Sequence, residues 1–183
     1  MAKIILAFAG EIASGKGAAT EYLVKKYQAS QHRYSTMFRD VLDRMYLEHN
    51  RSNIQTISTF FRNNFGQDIM SKVIARDVAS DKSKIIVLDG ARRSEDLKEV
   101  AKLPNFKLIY IDTDIKIRYQ RIVSRGENSD DNSKGFGDFK KDNAQESETQ
   151  IRKLKDIADF VVDNNGGLAK LQQQLDKIIK SLK

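Results

Sequence analysis

The stretch Ile4-Ile5-Leu6-Ala7-Phe8-Ala9-Gly10-Glu11-Ile12-Ala13-Ser14-Gly15-Lys16-Gly17 decides the fold. Its apolar run, Ile4 to Ala9, ends at Gly10 and fits a strand buried on both faces. Gly10, Gly15 and Lys16 then stand at G-x-x-x-x-G-K spacing. Glycines at those positions let the backbone wrap an anion with several amides pointing inward, and the helix that follows adds its positive end. Lys16 can reach the outer phosphates of such a ligand. The strand before the motif and the helix after it supply the context that this chemistry requires.

Working outward, a first helix is expected from Gly15 to Gln28, and a short second strand over 32–35. Three helices follow, marked by Met37 to Tyr46, by Ile54, Ile57, Phe61 and Phe65, and by Ile69, Val73, Ile74 and Val78. Asn50 to Asn53 supply capping residues, Gly66 a stop and Asp68 the next cap. Ile85 to Leu88 is a second buried strand ending at Asp89-Gly90, and Ser94 caps a helix through Ala101. Phe106 to Ile111 is a strand and Ile115 to Arg125 a helix. Gly126 to Gly137 is polar and punctuated by glycine, as a loop or lid is, and a polar helix follows to Ile157. Phe160 to Val162 and a helix from Leu168 to Leu182 close the chain.

Strand and helix alternate, which predicts an α/β fold of three layers, with a five-stranded parallel sheet covered by helices on both faces. Ligands bind such sheets at the carboxyl ends of the strands. A single domain is expected: a core of 1–35, 84–125 and 158–183, a helical acceptor-binding insertion over 36–80, and a short lid over 126–141.

Composition narrows the chemistry. The chain has 183 residues and no cysteine, which excludes disulfide frameworks and thiolate catalysis, and its two histidines argue against His-rich metal sites and Ser-His-Asp catalysis. Its apolar runs are too short to span a bilayer, and the amino terminus lacks the length of a signal peptide, so a cytoplasmic protein is expected. A net charge of +7 suits polyanionic ligands. Basic blocks with interleaved aromatics are missing, which argues against nucleic acid. No exposed apolar helix face stands out in the sequence, so a monomer is expected.

The G-K-G of the loop resembles the nucleoside monophosphate kinases, relatives of adenylate kinase and dephospho-coenzyme A kinase. Asp89-Gly90-Ala91-Arg92-Arg93 looks like the D-G-x-x-R segment of adenylate kinases, and Ser35-Thr36-Met37-Phe38-Arg39 resembles the segment that opens their monophosphate-binding helices. Arg118, Arg121 and Arg125 precede the Gly-rich stretch as the lid arginines do in that superfamily.

The resemblance implies a P-loop kinase that uses ATP and Mg²⁺. Gly10, Ala13, Ser14, Gly15, Lys16, Gly17 and Ala18 would bind ATP, and Lys16, Arg118, Arg121 and Arg125 would stabilise transferring charge. Arg39, Arg62, Arg92 and Arg93 would hold the acceptor. Gly17 and Ala18 stand where relatives carry a hydroxyl for the metal, so Asp89 would meet Mg²⁺ directly or through water. The acceptor would be a nucleoside or deoxynucleoside monophosphate. A dephospho-coenzyme A kinase, whose hydroxyl acceptor needs a carboxylate base, and an ATPase acting as an assembly factor on RNA–protein particles are the alternatives.

Overall fold

A computed structural model describes residues 3–125, 135–144 and 146–183; the side chains of Arg51, Arg125, Asp142 and residues 146–148 lie outside that description. In chain order the elements are β1 (Ile4–Ala9), α1 (Lys16–Tyr27), β2 (Ser30–Arg33), α2 (Thr36–Arg44), α3 (Arg51–Phe65), α4 (Ile69–Ser80) and β3 (Ile85–Asp89). Then come α5 (Ser94–Leu97), a 3₁₀ turn over Val100–Lys102, β4 (Phe106–Asp112), α6 (Ile115–Arg125), α7 (Phe136–Asn143), α8 (Glu146–Lys153), β5 (Phe160–Asp163) and α9 (Leu168–Ser181).

Among the described residues the five strands form one parallel sheet in the order β2-β3-β1-β4-β5. The motif strand β1 is central, with Ile5 opposite Ile86 on β3 and Phe106 on β4. Every residue of β1 is buried, as a strand covered on both faces requires. Alternation along the strands feeds two separate cores. Ile4, Leu6 and Phe8 join Ala19 and Leu23 of α1 and Leu171, Leu175 and Ile179 of α9. Ile5, Ala7 and Ala9 face the other way, toward Phe38 of α2, Met70 and Ile74 of α4, and Ile151 and Leu154. These two cores are the reason for the three layers, and they put the carboxyl ends of β1, β3, β4 and β5 on one edge.

Several local expectations are corrected. The second strand runs over Ser30–Arg33 rather than 32–35, because its pairing with β3 starts at Ser30 opposite Ile86. Asn50 does cap α3, its side chain accepting from the Asn53 amide at 2.9 Å. Asp68 caps nothing with its side chain; its carboxylate binds Lys72 and Lys98 instead. Ser94 is the first residue of α5, whose amino end is fixed by Asp96 accepting from the amides of Arg92 and Arg93. The polar helix expected up to Ile157 is two helices, α7 and α8, the second ending at Lys153. An apolar face is also exposed after all: Phe60 and Phe65 of α3 are 53% and 57% accessible. Sequence periodicity hid it, because both share a helix with the more buried Ile57 and Phe61.

Candidate active site

The carboxyl end of β1 turns into α1 through residues 10–15, and two glycines make that turn possible. Gly15 has φ +106°, and a Cβ there would lie 2.1 Å from Nδ2 of Asn164. Gly10 has φ +147° and would meet the carbonyl oxygen of Ile111 and Oγ of Ser14, each at 2.6 Å. Only glycine tolerates both the backbone conformation and the close approach. Ala13 also adopts positive φ, at 58°. Gly15 caps α1 without a side-chain hydrogen bond. The first turn of α1 has no acceptor within the helix for its amides, which gives this end of the loop the positive character an anion site needs.

The turn is braced from outside. The backbone carbonyl oxygen of Ser14 accepts from Asn164 Nδ2 at 2.7 Å, from Thr113 Oγ1 at 2.9 Å and from Arg121 Nη1 at 3.3 Å. Arg121 also donates to the carbonyl oxygen of Asn164 at 2.8 Å, and burial lowers the pKa of its guanidinium. Lys16 Nζ donates to the carbonyl oxygens of Gly10 and Glu11 at 2.5 and 3.1 Å, so its ammonium sits against the mouth of the loop. Beside this turn, Ile117, Gln120, Arg121 and Ser124 line an open cavity of about 460 Å³. The loop after β5, which carries Asn164, is itself ordered by Asp163 accepting from Asn165 and Lys170. Those bonds hold the Asp163 carboxyl down at about 2, the Lys170 ammonium contributing most.

Arg118 has a different setting. Its side chain is 3% exposed and lies 3.1 Å from Oε2 of Glu11. It also donates to Thr113 O at 3.1 Å and Asn143 Oδ1 at 2.7 Å, and stacks over Phe139. It joins the loop to α6 and α7, a packing role that its place in the sequence did not reveal. The side chain of Arg125, and residues 126–134 of the expected lid, lie outside the described residues.

At the end of β3 the expected acceptor arginines separate into two kinds. Arg62 is mostly buried, its Nη2 2.7 Å from Oδ1 of Asp96 and its Nη1 donating to Gln67 O at 3.0 Å. It thus supports Asp96, whose other oxygen holds the Arg92 and Arg93 amides at 2.9 and 3.1 Å. Tyr34 donates to the Asp96 carbonyl oxygen at 2.7 Å, and its burial pushes the phenol above its usual pKa. Arg92 and Arg39 are exposed and Arg93 half-buried. Asp89, at the tip of β3, lies 3.9 Å from Nε of Arg33. Among the described residues no group of three or more His, Asp or Glu side chains could hold a metal ion.

Sequence reasoning missed Thr113, Asn164, Asn143, Glu11 and Arg152. Asn164, in the polar run Asp163-Asn164-Asn165-Gly166-Gly167 after β5, turns inward and is 5% exposed.

Comparison with known proteins agrees with this geometry. The AAA domain family matches residues 10–135, which include the loop, the insertion and α6. A UPF0200 protein of Sulfurisphaera tokodaii is 26% identical over 180 residues, covering 97% of each chain. One from Methanosarcina mazei is 30% identical over 133 residues, covering 70% of each. In fold, the chain is similar to shikimate kinase from Acinetobacter baumannii, solved with shikimate, at a TM-score of 0.55 and 15% identity over 99% of this chain and 95% of that one. That likeness is one of fold, a parallel sheet between layers of helices. The chain belongs to the AAA domain family and to the UPF0200 proteins.

Proposed function

We propose that the protein transfers the terminal phosphoryl group of ATP to a nucleoside or deoxynucleoside monophosphate. The observation that carries this is the braced turn at Ser14-Gly15: its carbonyl side is held by Asn164, Thr113 and Arg121, and the turn leads directly into the positive amino end of α1. Lys16 leaves the Gly10 and Glu11 carbonyl oxygens and meets the outer phosphates, whose charge outbids neutral carbonyls. The open cavity along α6, which Arg121 helps to line, takes the rest of the donor nucleotide.

Transfer needs little covalent work from the protein: an acceptor phosphate oxygen attacks the terminal phosphorus and the bond to the leaving diphosphate breaks. An ionised acceptor needs cations rather than a base. Arg92 and Arg93 are held at the end of β3 through Asp96, and Arg39 opens α2; these are the residues assigned to the acceptor. Arg121 and Arg125 supply positive charge to the migrating group, whereas the charge of Arg118 is matched by that of Glu11 behind the loop. Mg²⁺, bound mainly by phosphate oxygens and water with Asp89 nearby, would neutralise the donor phosphates, since Gly17 offers no hydroxyl. Among the described residues no helix is long and apolar enough to cross a membrane.

ADP release, measured with ATP and Mg²⁺ against a panel of ribo- and deoxyribonucleoside monophosphates, tests this. Dephospho-coenzyme A and shikimate belong in the panel. Stimulation by one or two monophosphates supports the proposal. Stimulation by a hydroxyl acceptor alone overturns it, as does hydrolysis that no acceptor accelerates but that accompanies salt-sensitive RNA binding.

A further inference from the structure

Glu11 places a carboxylate inside a loop built for anions, and two arginines surround it. Its Oε2 lies 3.1 Å from Arg118 Nη2, and its Oε1 accepts from Arg152 Nε at 2.8 Å. Arg118 also donates to Oδ1 of Asn143, and Arg152 to the backbone carbonyl oxygen of the same residue. The four residues form a closed ring joining the loop, α6, the end of α7 and α8. Their exposures differ: the side chains of Arg118 and Glu11 are 3% and 12% accessible, that of Arg152 is 43%.

That difference matters electrostatically. A lone carboxylate beside a polyphosphate site repels its ligand, and one guanidinium only cancels it. The second guanidinium makes the neighbourhood positive, and it comes from α8, whose Ile151 is anchored in the core. A half-exposed ion pair adds little to fold stability. Its consequence therefore falls on the ligand that shares the site.

We propose that Glu11 is a positioning residue that holds the Arg152 guanidinium beside the phosphate loop, so that Arg152 adds its positive charge to the binding of a polyphosphate there. This rests on the reading of the loop as an ATP site. Linkage requires the coupling to be reciprocal: the Glu11–Arg152 contact raises polyphosphate affinity, and polyphosphate bound steadies that contact and α8 with it.

The test is a double-mutant cycle on ATP affinity, by calorimetry, over the native chain, Glu11→Gln, Arg152→Ala and the pair. Amide hydrogen exchange in residues 149–153 is followed with and without ATP. Arg152→Ala is expected to weaken ATP binding about tenfold in the native background and less than about twofold when Glu11 is already Gln. ATP should slow exchange in α8 of the native chain and not of Glu11→Gln. Arg152→Lys, which keeps the charge and loses the fork, should recover part of the affinity and guards against a folding defect in the alanine variant. Equal weakening in both backgrounds, with ATP still bound, overturns this proposal alone, because Arg152 would then act without Glu11. A native chain that binds no ATP overturns it together with the phosphoryl-transfer proposal.

Discussion

Asn164 and Ser14, 150 positions apart, are joined by a 2.7 Å hydrogen bond from the buried side-chain amide to the backbone carbonyl oxygen. The loop after the last strand thereby sets the shape of the loop after the first. The same amide lies where a Cβ on Gly15 would go. Replacing Asn164 with Ala should cost about 1–3 kcal/mol, the usual penalty for removing a buried polar partner. Replacing Gly15 with Ala adds a left-handed alanine to the clash and should lower ATP affinity at least about tenfold. Urea unfolding and ATP titration of both variants check this; a Gly15→Ala protein with native affinity would contradict the account of the turn.

Arg118 and Arg121 sit one helical turn apart on α6, yet their replacements should fail differently. Arg118→Ala removes the partner of the Asn143 side chain and leaves Glu11 with Arg152 alone, and should destabilise the protein by about 1–3 kcal/mol. Arg121→Ala, at a site with more solvent, should cost less stability and more nucleotide affinity. Paired unfolding and binding curves separate the two; equal losses of stability would place both residues in packing.

Arg92→Ala should raise the Michaelis constant for the acceptor about tenfold or more, the worth of one charge-assisted hydrogen bond, and leave that for ATP nearly unchanged. Steady-state kinetics with each substrate varied in turn decides it. An unchanged acceptor constant removes Arg92 from the acceptor site.

Acid should loosen the contact between α1 and α9. Burial works against the charge of Asp176, but hydrogen bonds from Lys26, Tyr27 and Tyr22 outweigh it and hold the carboxyl at about 2. A carboxyl whose pKa is depressed by folding stabilises the native state above its unfolded value, ordinarily about 3.9, and that stability is lost as pH falls toward the folded value. Asp176→Asn should therefore be less stable than the native chain by about 1–2 kcal/mol near neutrality. The gap should close between about pH 4 and about pH 2. Thermal unfolding across that range measures it; a constant gap would mean that the carboxylate charge contributes nothing.

The parts of this molecule that are legible in its sequence are the contiguous ones. Ile4–Ala9 and Ile85–Leu88 read as buried strands because each is an unbroken apolar run, Phe106–Ile111 because only Lys107 interrupts it, and Gly10 to Lys16 reads as a phosphate loop because its spacing is local. The polar network is illegible for the opposite reason. Glu11 and Arg152 are 141 positions apart and Arg62 and Asp96 are 34 apart, so no periodicity links them. Arg118 and Arg62 each look like solvent-facing helix arginines in sequence, and only packing reveals that both are engaged by carboxylates. The exposed Phe60 and Phe65 escaped notice because a helix stripe does not say how wide its covered face is.

The central claim, phosphoryl transfer to a monophosphate, is met most directly by following the terminal phosphate of labelled ATP. With Mg²⁺ and the acceptor that most accelerates ADP release, the label should appear in the corresponding nucleoside diphosphate, and Lys16→Ala should reduce that product to the level of the protein-free blank. Label found only as inorganic phosphate, with or without acceptor, would contradict the account and leave the loop as the site of an ATPase.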